Sequence, residues 1–145
     1  MAEGNDRANT PTYLGMVVCD NIIQDPETKK YYLMGTTARN YARSFPARYQ
    51  KMCVYAVLTG IHERIKLTLK LVRVDPGSMH DEVLMSIPGT VEAPDPLAVA
   101  ELTLGLRNLV LPKEGEYRFQ LWCDEVLLGE RKISLLLLPP TPREA

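Results

Sequence analysis

Residues 111–138 read LPKEGEYRFQLWCDEVLLGERKISLLLL, and this stretch decides the fold class. Tyr117, Phe119, Leu121 and Cys123 recur at every second position, with Arg118, Gln120, Trp122 and Asp124 between them. A period of two sends the two sets to opposite faces of a strand. One face is therefore dry, and the other carries charge, an amide and the single Trp. Beyond Asp124-Glu125 a second alternation begins, with Ile133, Leu135 and Leu137 set against Lys132, Ser134 and Leu136. Two such runs around a short polar turn predict an antiparallel hairpin. Gly129 marks a bulge or bend in the second arm. The entry Pro112-Lys113-Glu114-Gly115 is turn chemistry, since Pro restricts φ and Gly admits positive values.

The rest of the chain repeats this grammar. Residues 14–24 (LGMVVCDNIIQ) are nearly continuous in apolar content and read as one strand. Asp25-Pro26-Glu27-Thr28-Lys29 turns the chain, and residues 30–37 return it as the partner strand. Residues 51–59 form the next strand. Residues 63–75 (ERIKLTLKLVRVD) alternate most clearly: Ile65, Leu67, Leu69 and Leu71 face one way, and Lys66, Thr68, Lys70 and Val72 the other. Pro76-Gly77 ends that strand. Residues 81–91 carry Pro88-Gly89, which suits an edge or bulged strand. Residues 97–111 hold enough Ala and Leu for a helix, yet Leu102, Leu104 and Leu106 alternate with Thr103, Gly105 and Arg107, and Gly105 is poor inside a helix. The expectation is an all-β protein, an antiparallel β-sandwich of about seven to eight strands.

Bulk properties narrow the class. The chain has 145 residues, 46% of them hydrophobic and 24% charged. That suffices for one self-supporting core. With 17 basic and 18 acidic residues the net charge is −1, so no global field draws the protein to nucleic acid or to an anionic membrane. Cys19, Cys53 and Cys123 fall in strands without CxxC spacing. They read as reduced, mostly buried thiols of a cytoplasmic protein, with Cys53 and Cys123 facing the core. Residues 1–12 are polar, without the apolar segment of a signal peptide, and read as a disordered tail. Residues 13–138 form the single domain, and residues 139–145 a stiff Pro-rich tail. The longest apolar run, near the C-terminus, is too short to cross a bilayer, and no lipidation motif is present.

Catalytic chemistry finds little to work with. No GxSxG, HExxH, P-loop or GxGxxG pattern occurs. The two histidines, His62 and His80, lie in separate predicted turns, where solvated imidazoles are the simpler reading than zinc ligands. Asp20, Asp25, Asp75, Asp81 and Asp95 fall near strand ends, too scattered for a calcium site. No cofactor and no metal are expected, and no enzyme activity.

Two surfaces remain. Residues 39–51 read as a long loop in which Arg39, Arg43, Arg48 and Lys51 interleave with Tyr41, Phe45 and Tyr49. Arginine forks match phosphate and carboxylate, and aromatic rings stack on bases. Arg39, Tyr41, Arg43, Arg48 and Tyr49 thus form a candidate ligand or nucleic-acid site. The competing reading makes Phe45 and Tyr49 a plug for the core, with solvated arginines around them; the absence of net positive charge favours it over nucleic-acid binding. The second surface is the outer side of the last hairpin. Trp122, Leu127, Leu136 and Leu138 exceed what one buried face needs, and form a candidate interface for self-association or a protein partner.

The motif Leu-Pro-x-x-Gly-x-Tyr-x-Phe-x-Leu at residues 111–121 resembles the corner and following strand of immunoglobulin-like sandwiches, where a Tyr hydroxyl bonds back to the corner backbone. An antibody-type disulfide Cys two residues past that Tyr is replaced here by Phe119. Taken in order, Val18-Cys19-Asp20, the Lys-x-Tyr-x-Leu-Met-Gly-Thr run at 30–37, Ser44-Phe45-Pro46-Ala47 and the 111–121 motif resemble a small bacterial family of unknown function. The likeness covers about residues 16–137. It implies an all-β sandwich and a shared structural role for the 39–51 segment; no activity or catalytic residue comes with it. The leading expectation is a non-enzymatic binding or assembly module working through a sheet face or edge. A ligand- or nucleic-acid-binding module using residues 39–51 is the alternative, and an enzyme of unrecognised type the third.

Overall fold

The computed structural model describes residues 10–139; the two tail expectations fall mainly on residues 1–9 and 140–145, outside the described residues. The protein is all-β, with ten strands and no helix among the described residues. In chain order they are β1 (Thr12–Cys19), β2 (Asn21–Gln24), β3 (Tyr31–Met34), β4 (Arg39–Ala42), β5 (Ala47–Thr59), β6 (Arg64–Arg73), β7 (Glu82–Glu92), β8 (Ala100–Leu111), β9 (Gly115–Cys123) and β10 (Val126–Leu137).

Ten strands replace the expected seven to eight for two reasons. The apolar run 14–24 is broken at Asp20, where the chain leaves one sheet for another, so β1 and β2 are separate. Residues 39–51 are not a loop. Arg39–Ala42 is β4, paired in parallel with β10, and β5 already begins at Ala47. Only residues 43–46, with a cis Phe45-Pro46 bond, turn the chain between them.

A three-stranded sheet has the order β1-β5-β8, and a five-stranded sheet the order β4-β10-β9-β6-β7. They enclose one core. Met16, Val18, Met52, Val54, Ala56 and Leu58 contribute from β1 and β5; Leu67, Leu69, Leu71, Phe119, Leu121, Ile133 and Leu135 oppose them from β6, β9 and β10. Burying each large apolar side chain contributes roughly 1.5–3 kcal/mol. The hairpin β9–β10 forms as its alternation demands, with a register shift between Leu127 and Gly129. In β6 the alternation holds through Leu71, but Val72 is buried too, because the β6–β7 register slips between these residues. β7, with its Pro88, lies at the edge of the five-stranded sheet.

The corner before β9 is tied by Tyr117. Its hydroxyl donates to the Lys113 carbonyl at 2.5 Å and accepts from the Lys113 N–H at 3.2 Å. Tyr117 is fully buried, so its hydroxyl finds its partners on the Lys113 backbone rather than in water.

β2 and β3 form a separate hairpin, and among the described residues β3 pairs with β2 alone. Its turn is held by Asp25 Oδ1, which accepts from the N–H groups of Glu27 at 2.8 Å and Thr28 at 3.0 Å. The hairpin lies against the outer face of the three-stranded sheet. Tyr31 packs on Tyr55 with ring centroids 5.8 Å apart, and Lys51 Nζ donates to Asn21 Oδ1 at 2.6 Å. Cys53, expected to face the core, instead points to this outer face, opposite Cys19 in the β1–β5 register. Both are buried and free, and a cavity lined by Ile22, Tyr31 and Cys53 lies between hairpin and sheet.

Candidate functional site

The residues expected to bind fall on both sides of the fold. Arg39 and Tyr41 are exposed on β4, and Arg43 and Arg48 are exposed at the two ends of the turn that follows. Tyr41, Arg43 and Arg48 border a shallow concavity of about 400 Å³, and Arg39 lies outside it. Tyr49 turns the other way and packs with Phe45 against the core. Its hydroxyl is buried without a hydrogen-bond partner among the described residues, and burial pushes its pKa up. The segment is therefore split, with arginines and Tyr41 outside and Phe45 and Tyr49 inside.

Tyr49 faces inward because the pleat inverts. In β5 the core-facing residues are even-numbered from Met52 to Leu58, but Ala47 and Tyr49 are odd. In β8 Leu102, Leu104 and Leu106 face in, then Leu109 and Leu111. The two strands keep one register throughout, so both flip at the same level. Gln50-Lys51 and Arg107-Asn108 are both left outside. Asn108 makes the flip with φ of 54°, a left-handed conformation that Asn tolerates better than most residues.

The outer face of the five-stranded sheet is a ladder of charge. Arg118 bridges Glu116 at 2.8 Å and Glu130 at 3.2 Å, and Lys132 reaches Glu116 at 3.0 Å. The hydrogen bond from Lys132, outweighing desolvation, and that from Arg118 hold the Glu116 carboxyl below its usual range. Trp122 is half-buried in this ladder, with Nε1 donating to Gln120 Oε1 at 3.1 Å and Lys70 Nζ 4.7 Å from its ring centroid. Leu136 lies beside Tyr41 and is half-buried, Leu127 is Trp122's partner across the hairpin, and Leu138 is beyond the strand. The charged and polar ladder separates the Trp122–Leu127 pair from Leu136 and Leu138, so the four residues do not form one continuous apolar patch.

Two features had no clear signal in the sequence. A cleft of about 1290 Å³ opens at one end of the fold, where the β5–β6, β7–β8 and β9–β10 connections converge. Ile61 and Cys123 line it together with His62, Glu63, Asp95, Asp124 and Glu125. Its charges are mixed, and no three His, Cys, Asp or Glu side chains group as a metal site among the described residues. The second feature is an apolar crevice of about 280 Å³ on the open flank between β7 and β8. Leu67, Leu69, Ile87, Leu102, Leu104 and Leu121 line it. Beyond it β8 pairs only with β5, so one full edge of this strand has no neighbour among the described residues.

Two of the motifs carrying the family likeness, Val18-Cys19-Asp20 and the 30–37 run, meet at the base of the β2–β3 hairpin. Asp20 N–H donates to the Met34 carbonyl at 2.9 Å, and the Asp20 side chain lies over Gly35. Ser44 to Ala47 contains the turn that seats Phe45 against the core. No described helix is long and apolar enough to cross a membrane.

Among solved structures, the fold is similar to part of the Bifidobacterium adolescentis GH3 beta-glucosidase, at 12% identity and a TM-score of 0.47, covering 87% of this chain and 17% of that one. A Listeria innocua beta-glucosidase in complex with isofagomine gives 8%, 0.44, 87% and 16%. The Pseudomonas fluorescens alkylpurine DNA glycosylase AlkC, bound to DNA containing an abasic site analog, gives 11%, 0.44, 83% and 30%. The chain thus spans less than a third of each of these proteins, and likeness this shallow carries nothing about activity. No curated protein matches the sequence. The model of a family of unknown function, DUF6941, matches residues 14–136, and the chain belongs to that family.

Proposed function

We propose that the protein is a non-enzymatic binding and assembly module, an immunoglobulin-like sandwich that takes up an extended strand along the free edge of β8. The observation that carries this reading is the unpaired edge beside an apolar crevice. An edge strand offers a row of free N–H and C=O groups, and alternate side chains of an incoming strand add specificity by filling a neighbouring pocket.

The immunoglobulin-like assignment is supported by strand order. β1, β5 and β8 correspond to strands A, B and E, and β10, β9, β6 and β7 to G, F, C and C′. The Tyr117 corner supports it as well. In this correspondence no strand D flanks E among the described residues, which leaves β8 open. The charge ladder around Trp122 argues for placing association at this edge rather than on the outer face of the last hairpin. Three buried, unpaired thiols fit a reducing, cytoplasmic setting.

Residue-resolved hydrogen exchange tests the reading. A short soluble peptide alternating valine and threonine, added at millimolar concentration, is expected to protect alternate β8 amides. Unchanged exchange along β8 at saturating peptide rejects it.

A further inference from the structure

The free edge of β8 is complementary to itself, and we propose that two copies of this chain pair through it, β8 against β8, antiparallel about Leu104. The inference rests on the edge-binding reading above and names its partner. The resulting interface is isologous, with the same residues contributed by both copies, and it joins two three-stranded sheets into one.

The order Glu101-Leu102-Thr103-Leu104-Gly105-Leu106-Arg107 carries the argument. Antiparallel pairing about Leu104 sets Glu101 opposite Arg107 of the second copy, and the symmetry makes that pair twice. Leu102 meets Leu106, and Leu104 meets its own counterpart, on the side that faces the crevice. Within one copy Arg107 has no such partner. Its exposed guanidinium makes no hydrogen bond or ion pair among the described residues, and the residue lies directly opposite Lys51 in the β5–β8 register. Like charges directly opposite across strands repel, and opposite charges attract. Glu101 is exposed and uses Oε2 to accept from the Tyr55 hydroxyl, so Oε1 is left to accept from an incoming guanidinium. One copy carries a local positive excess around Arg107, and the second copy's Glu101 neutralises it.

The other edges are less suited. β7 contains Pro88, which has no N–H to give. β4 has four residues. β1 runs beside β10, with the Tyr13 ring against Gly129. β8 is twelve residues long, contains no Pro, and holds one register with β5 throughout.

Sedimentation equilibrium on the full chain, from nanomolar to millimolar, tests this. The expected result is a reversible rise from the 16.3 kDa monomer to twice that mass. Glu101→Arg and Arg107→Glu each install two like-charge pairs and are expected to weaken the dimer at least about tenfold. The double variant, and an equimolar mixture of the two single variants, restore it. Arg107→Glu removes no bond that the monomer makes, and thermal melts by circular dichroism separate lost pairing from lost folding. A monomer at every concentration overturns the proposal, and so does a dimer indifferent to both reversals. If the chain stays monomeric while the valine-threonine peptide still protects β8, only self-pairing falls; if the peptide gives no protection either, the edge reading falls with it.

Discussion

The Asp20 side chain lies directly over the α-carbon of Gly35: a Cβ placed there would sit 2.3 Å from Asp20 Oδ2 and 3.0 Å from Asp20 Cβ. Gly35 also has φ of +74°. The β2–β3 hairpin is thus joined to β1 at a point where only glycine fits both the space and the backbone. Gly35→Ala is expected to lower the stability of the protein by about 1–3 kcal/mol. Urea denaturation checks it, and an unchanged midpoint would show that the hairpin base relaxes freely.

Two tyrosines near the core make opposite predictions. Tyr117→Phe removes both hydrogen bonds to the Lys113 backbone, and should cost about 1–3 kcal/mol. Tyr49→Phe removes a buried hydroxyl that has no partner. That substitution is expected to be neutral, or stabilising by up to about 1 kcal/mol. Paired chemical denaturation of the two variants tests the contrast, and an equal loss in both contradicts it.

Tyr55 governs alkaline behaviour on the outer face of the three-stranded sheet. Burial first, and then its hydrogen bond to the Glu101 carboxylate, push its pKa up to about 12. The protonated phenol is the favoured form in the fold. Its stabilising contribution is complete below the unfolded pKa of 10.0, and is lost as pH climbs from there through about 12. Ultraviolet titration should find Tyr55 among the last of the seven tyrosines to ionise. Glu101→Gln should bring it down toward the others. A Tyr55 titration unmoved by that change would remove Glu101 as a cause.

Thiol labelling reports on the hairpin. Cys53 and Cys19 are buried on the sheet face beneath β2 and β3, whereas Cys123 belongs to the core. Tyr31→Ala deletes the ring that packs on Tyr55. It should raise the maleimide labelling rate of Cys53 several-fold and leave Cys123 unchanged, because a locally opening segment exposes its own residues without global unfolding. Equal acceleration at both cysteines would mean that the hairpin opens only with the whole protein.

Where one residue's chemistry dictates local structure, the sequence was readable. Alternation placed Ile65, Leu67, Leu69, Leu71, Tyr117 and Phe119 inside, Gly129 marked the register shift, and Pro88 marked an edge strand. The misreadings share one cause: pairing between distant segments. The polar pair Asp20-Asn21 interrupts the apolar run, but it does not say that β1 belongs with β5 and β2 with β3. β4 is short and polar, and its partner β10 is far along the chain. Cys53 is buried by a hairpin on the face opposite the core. The candidate site was half legible: Arg39, Tyr41, Arg43 and Arg48 are outside as expected. The inward turn of Tyr49 depends on a flip shared with β8, and the open edge of β8 is a matter of which strands are absent beside it.

The shared flip at Gln50-Lys51 and Arg107-Asn108 divides β5 and β8 into halves that obey opposite parity. A mutational scan extrapolating even numbers as interior from Val54 would mark Arg48 for an apolar residue and Tyr49 for a polar one, and be wrong at both. Inserting or deleting one residue in β5 alone would misalign the two inversions. One strand would then turn its leucines or its arginines toward the neighbour's wrong side. The two strands can therefore tolerate changes of length at this level only as a coordinated pair.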